Sequence, residues 1–182
     1  MQQYIENNYK EIEEIDYEKF CRMAKKYPKM FSKYIQTEYG TPFDILNMTA
    51  TGGTYAIELK SRKNKYSDCY IEMEKFTRLR NLWRERYVLP VYICFYENEV
   101  YMWLLNEVSN VKIYLNAVVK PMKDDEYECE RIGLDFSEAI HMDLDGNILE
   151  RPKNSTKSRR LPAYKDPEIM GTIINRYNWN RI

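Results

Sequence analysis

Thr41-Pro42-Phe43-Asp44-Ile45-Leu46-Asn47-Met48, then Thr51-Gly52-Gly53-Thr54, then Tyr55-Ala56-Ile57-Glu58-Leu59-Lys60: these neighbouring pieces set the architecture. The outer two are apolar and β-compatible, and the glycine pair between them supplies a turn, so together they spell a β-hairpin. Side chains alternate along a strand with a period of two. Ile57 and Leu59 therefore share one face, and Ala56, Glu58 and Lys60 share the other. An antiparallel partner carrying Asp44 brings its carboxylate near Glu58, within a residue or two of register.

Paired carboxylates with water suit Mg²⁺ or Mn²⁺, hard cations that prefer oxygen and keep several waters when they also hold a phosphate. Lys60, two places from Glu58 on the same face, is placed to orient an attacking water or to offset charge on a phosphate. A Glu-x-Lys triplet alone carries little, because charges alternate on many exposed strands. Its setting between an apolar hairpin and a following helix carries more.

Pro42-Phe43-Asp44 followed by Glu58-Leu59-Lys60 resembles the PD-(D/E)xK nuclease superfamily, the restriction-endonuclease-like fold. The superfamily often places proline directly before the aspartate, whereas here Phe43 intervenes. The resemblance spans roughly Pro28 to Tyr96. It implies a helix, a three-stranded meander, a second helix and a further strand, with the aspartate and the Glu-x-Lys motif on adjacent strands binding Mg²⁺ or Mn²⁺. It further implies hydrolysis of DNA phosphodiester bonds, as an endonuclease of junction-resolvase or phage-recombination type. Asp44, Glu58 and the Leu59 carbonyl would be the metal ligands, and Lys60 would assist the attacking water. A homodimer would suit two cuts on duplex DNA. The alternative is a non-catalytic nucleic-acid-binding or assembly module on the same sheet; a tyrosine-rich structural or protein-interaction domain is a third reading.

Flanking segments add candidates. Ser67 or Asp68 can cap a helix running to about Arg86, with Ile71, Phe76, Leu79, Leu82 and Trp83 forming its apolar stripe. On it, Glu72 and Lys75 read either as polar site residues or as a helix-surface ion pair. Upstream, Pro28 suits the first turn of a helix through Met30, Phe31, Tyr34 and Ile35 to Glu38, with Gly40 as its stop. Related nucleases often carry an extra acid on such a helix, so Glu38 is a further site candidate. Downstream, Val88–Tyr96 reads as a buried strand, Val100–Leu105 and Val111–Val119 as strands, and Arg131–Phe136, Ala139–Leu144 and Ile148–Glu150 as short strands. Asp143-Leu144-Asp145-Gly146-Asn147 reads as a hairpin turn; a calcium loop would need different spacing and a terminal glutamate.

The expected class is α/β: a restriction-endonuclease-like core of mixed central sheet flanked by helices, with a C-terminal β-rich appendage. The 182 residues suit a single nuclease-like domain, core about 28–120 and appendage about 121–182. With 28 basic and 28 acidic residues the net charge is zero, so a DNA partner must be held by local fields. One basic region surrounds the hairpin: Lys60, Arg62, Lys63, Lys65, Lys75, Arg78, Arg80, Arg84 and Arg86, with Tyr66 and Tyr70 interleaved. The second, Arg151–Arg160, includes Lys157, Arg159 and Arg160. Of these, Arg62, Lys63, Lys65, Arg78, Lys157, Arg159 and Arg160 are the candidate phosphate contacts. The acidic runs Glu11–Glu18 and Asp124–Glu130 are expected to face away. Cys21, Cys69, Cys94 and Cys129 form no Cys-x-x-Cys pair and His141 is the lone histidine, so free thiols are expected and no zinc cluster. No membrane-length apolar stretch or signal peptide is evident, and no phosphate-binding glycine loop. The expectation is a cytoplasmic protein, encoded by a cell or by a phage within one, with no membrane partner.

Overall fold

The computed structural model describes residues 2–38, 41–118 and 128–152. Its elements are α1 (Gln2–Ala24), β1 (Lys33–Gln36), β2 (Ile45–Met48), β3 (Thr54–Arg62), β4 (Cys69–Glu72), α2 (Met73–Arg86), β5 (Leu89–Tyr96), β6 (Glu99–Leu104), β7 (Val111–Val118), β8 (Glu128–Leu134), β9 (Ile140–Asp143) and β10 (Ile148–Glu150). A 3-10 turn, Phe136–Glu138, precedes β9.

The hairpin forms as the alternation demands. β2 runs antiparallel to β3, Ile45 facing Ile57 and Met48 facing Thr54, and β1 adds on the outside to complete a meander. β5 then returns parallel to β3, a connection that needs a crossover, and α2 supplies it. The full sheet has the order β1-β2-β3-β5-β6-β9-β10, and β4-β8-β7 form a second, antiparallel sheet. The expected class, a mixed central sheet flanked by helices, is what the chain adopts. After residue 121 the strands divide: β8 enters the second sheet, while β9 and β10 extend the first.

Both faces of the main sheet are covered, which explains why β5 is an unbroken apolar run with every residue buried. On one face Phe20, Met23 and Ala24 of α1 pack over Ile57, Leu59, Ile93 and Phe95. On the other, Phe76 and Leu79 of α2 join Ala56, Tyr92 and Trp103, and Ile71, Ile132 and Leu134 of the second sheet close that core.

Two helical expectations are overturned. The stretch from Pro28 to Glu38 is a turn followed by β1: Tyr34 serves the α1-side core and Ile35 the α2-side core, the two-faced alternation of a strand. The second helix begins at Met73. Cys69 and Ile71 point into the core as β4 pairs with β8, so Ile71 is a strand residue facing Ile132. Asp68, expected as a cap, is buried and accepts from Lys112, Tyr114 and Ser67 instead. The far end agrees with expectation: after Arg86, Tyr87 turns left-handed at φ 54° and its N–H reaches the Trp83 carbonyl.

α1 is docked by the β9–β10 hairpin as well as by its apolar stripe. Arg22 and Lys26 bond Asp145 and Asn147, and the Tyr27 hydroxyl donates to the Gly146 carbonyl. Gly146 has φ 76°, and a Cβ there would lie 3.1 Å from the Met23 carbonyl oxygen. Gly146→Ala is expected to cost about 1–2 kcal/mol, through left-handed strain and that contact, in urea unfolding. No loss would mean the turn relaxes freely.

Candidate active site

Asp44 stands one place before β2 and its backbone is tied on both sides. Its N–H donates to the Ile57 carbonyl at 3.0 Å, and its own carbonyl accepts from Thr37 N–H at 2.8 Å. Extending the register in which Ile45 faces Ile57 by one place sets Asp44 opposite Glu58. The Asp44 carboxylate is oriented by the Leu59 N–H, which donates to Oδ2 at 2.6 Å. Within a strand, a residue's N–H and C=O point to the same side, so the Leu59 carbonyl lies along the same edge as Asp44.

Glu58 is buried, and Lys75 from the first turns of α2 reaches down to its Oε1 as a hydrogen-bonded ion pair. The other oxygen, Oε2, is sealed from solvent and accepts no hydrogen bond. Burial, and next the charge of Asp44, push Glu58 up to about 8, against the pull of Lys75 and Lys60. Asp44 is likewise raised by burial, opposed by the Leu59 N–H, Lys75 and Lys60. Lys75 is itself raised: burial works against its charge, but Glu58 and Asp44 outweigh it.

The shift at Glu58 makes stability depend on pH. Burial and the Asp44 charge push Glu58 from its ordinary 4.5 up to about 8. Between those limits the folded state binds more protons than the unfolded one, so stability falls as pH rises through the window. Glu58→Gln should remove that contribution, on the order of a few kcal/mol at the alkaline end. Urea unfolding in chelator at about pH 5 and about pH 8 reads it. Parallel pH dependence in both proteins would contradict the assignment.

The remaining candidates lie around this pair or away from it. Lys60 is exposed, and its charge still reaches both acids. Glu72 is the residue before α2, extended at φ −61°, and its charge is felt by Lys75. Glu38 is exposed beyond the end of β1. Among the described residues no group of three His, Cys, Asp or Glu side chains assembles, so Glu38 and Glu72 do not complete a three-acid cluster with Asp44 and Glu58. Lys63 is exposed. Arg62 turns inward, donating to the Tyr70 carbonyl and, at 3.4 Å, to the Tyr92 hydroxyl. Lys65 is held by Glu99 and the Tyr101 hydroxyl, and Arg78 by Glu74. Lys157, Arg159 and Arg160 lie outside the described residues, as does Gly40.

One link was not anticipated. Asp16, in the acidic run expected to face away, is buried against the sheet and accepts from the Ser61 N–H at 3.0 Å and from the Ser61 hydroxyl. Lys19 donates to that same hydroxyl at 2.6 Å. α1 thereby clamps β3 at the residue next to Lys60. The signal was present in the spacing of Tyr17, Phe20, Cys21 and Ala24, which places Asp16 beside an apolar helical stripe.

No protein-family model matches this chain. No curated protein matches it either. Among solved structures it is similar to Hjc, a Holliday junction resolvase from the archaeal hyperthermophile Archaeoglobus fulgidus, at 14% identity and a TM-score of 0.36. The match covers 57% of this chain and 84% of that one. A likeness that distant adds nothing to what the strand order shows. No described helix is long and apolar enough to cross a membrane.

Proposed function

We propose that this protein is a divalent-metal-dependent nuclease that hydrolyses phosphodiester bonds of DNA, with Asp44 and Glu58 as the metal ligands. The observation that carries the reading is the pair of acids itself. β3 and the residue before β2 bring two carboxylates side by side, within hydrogen-bonding reach of each other and both with raised pKa. Such an arrangement costs folding free energy. A bound dication offsets that cost.

The donor set fits Mg²⁺ or Mn²⁺. Two carboxylates and the Leu59 carbonyl are hard oxygen ligands, and Mg²⁺ is ordinarily held by one or two carboxylates with waters and substrate phosphate filling the rest. When bound, the metal would polarise the phosphate and acidify a coordinated water. The chain's own groups do the positioning. Asp44 is aimed by the Leu59 N–H and braced through its backbone. Lys75 pins Glu58 by Oε1 and, with its side chain 38% exposed, keeps an ammonium at the mouth of the site to offset charge developing on phosphorus oxygens. Lys60, exposed on the same strand as Glu58, is the second cation a phosphate would meet.

A second reading has its own support. Lys75 already occupies one oxygen of Glu58, as a binding module without metal would allow. Incubating the protein with plasmid, linear and branched DNA in Mg²⁺ or Mn²⁺ separates the two. Metal-dependent strand cleavage supports the nuclease; DNA binding with intact strands supports the module.

A further inference from the structure

We propose that the outer face of the second sheet is a stacking platform for unpaired bases, so that the DNA being cleaved carries a single-stranded stretch beside the site of cleavage. Cleavage here rests on the nuclease reading; the platform itself does not.

Strand alternation sets this face. Tyr70 of β4 lies opposite Gly133 of β8, which lies opposite Lys112 of β7, and Tyr114 sits in the next row. The Tyr70 and Tyr114 rings meet edge to face at 5.1 Å, and Tyr66, from the preceding loop, continues the row with its ring 6.2 Å from Tyr70. Tyr66 is 58% exposed, a large aromatic surface presented to water. Gly133 makes the arrangement possible: a Cβ there would fall 2.8 Å from Tyr114 Cε2, so only a bare position lets that ring lie across the strand.

The Tyr114 end of the row is held in place. The Tyr114 hydroxyl donates to Asp68 Oδ2 at 2.8 Å, and Lys112 grips the same buried carboxylate at 2.9 and 3.0 Å. A pre-set aromatic surface loses little conformational entropy on binding. The platform also adjoins the acid pair. Arg62, the last residue of β3, bonds the Tyr70 carbonyl, and Glu58 lies four places back on that strand, on the order of 13 Å away. Lys60 and Lys63, both exposed, stand along this stretch, where a phosphate backbone would run.

Base recognition by stacking suits this chain's charge. A protein of zero net charge has no overall field to hold nucleic acid, and aromatic faces grip any unstacked base irrespective of sequence. Duplex bases are already stacked on each other and cannot use the platform.

The test is an anisotropy titration in chelator with labelled oligothymidine of roughly 15 nucleotides, oligouridine of that length and a matching duplex. Oligothymidine should bind at least about tenfold more tightly than duplex, and Tyr66→Ala should lose about tenfold on the single strand only. Tyr66→Phe should restore binding, since it keeps the ring. Ile113→Ala, an exposed change on the opposite face, should have no effect. Equal binding of single strand and duplex, or indifference to Tyr66→Ala, would overturn the platform. Oligouridine binding as well as oligothymidine supports stacking on bases whatever the sugar; binding of oligouridine alone would overturn the DNA assignment. Tyr66-dependent binding without cleavage in Mg²⁺ would sink the nuclease and leave the platform. Mg²⁺-supported cleavage of a duplex with a single-stranded tail, undiminished by Tyr66→Ala, would do the reverse, keeping the nuclease and sinking the platform.

Discussion

Asp44→Asn and Glu58→Gln are each expected to slow Mg²⁺-supported DNA cleavage by about a thousandfold, because a ligand lost from a two-carboxylate site forfeits several kcal/mol of charge stabilisation. Both substitutions keep the shape of the side chain while removing its charge. In the Asp44→Asn protein the Leu59 N–H can still donate to the side-chain amide oxygen, so the loss is electrostatic and the fold persists. Glu58→Gln should even unfold at higher urea near pH 8, since it removes a carboxylate that burial and Asp44 hold well above its ordinary range. Loss of cleavage together with unchanged or increased stability is a signature that damage to folding does not produce. Lys75→Met should also depress cleavage, with a smaller effect on DNA binding, because the ammonium it removes faces Glu58 more than solvent. Chelation of the metal should abolish turnover of the unmodified protein and be reversed by Mg²⁺. Initial rates on supercoiled plasmid measure all of these. Undiminished cleavage by either acid variant would end the proposed mechanism.

The largest expected effect on stability is at Trp103. Its side chain is fully buried in the α2-side core against Tyr92, Tyr101 and Phe136, with ring centroids 5.9, 6.0 and 5.7 Å away. Its indole N–H donates to the Asp135 carbonyl at 2.9 Å, so the residue joins β6 to the turn leading into β9. Trp103→Ala opens a cavity that rigid strands on both sides cannot close, at about 3–5 kcal/mol. Against a typical total of about 5–15 kcal/mol, that is a large share of the whole. Trp103→Phe should cost less, retaining the ring contacts while leaving the Asp135 carbonyl without this donor. Urea midpoints compare the three proteins, and a Trp103→Ala loss below about 1 kcal/mol would show that the core collapses around the gap.

The hairpin was readable because its period of two is local, and β5 because a strand covered on both faces must be apolar throughout. Segments that failed did so where local cues pointed two ways. Pro28 and the run Met30, Phe31, Tyr34, Ile35 fit a helical face, yet the chain uses Tyr34 and Ile35 on opposite sides of a sheet. Cys69–Glu72 continues smoothly into a helical pattern, and only pairing with β8, far along the chain, makes it β4. α1 lacked an acidic first turn and carries a diluted apolar stripe, so its place over β3 came from packing.

The same division runs through the candidate site. Asp44 and Glu58 stand out in the chain because each is a charge set in an apolar strand, and local alternation suffices to assign their faces. Which amine serves them is a different matter. Lys60, two residues from Glu58, is exposed, while Lys75, on the crossover helix, makes the contact. Asp16 and the inward turn of Arg62 belong to the same class of facts. Periodicity acts over a few residues and specifies strands, turns and faces; the distance between groups far apart along the backbone is set by how helices lie across a twisted sheet, a property of the packed whole that no short window contains.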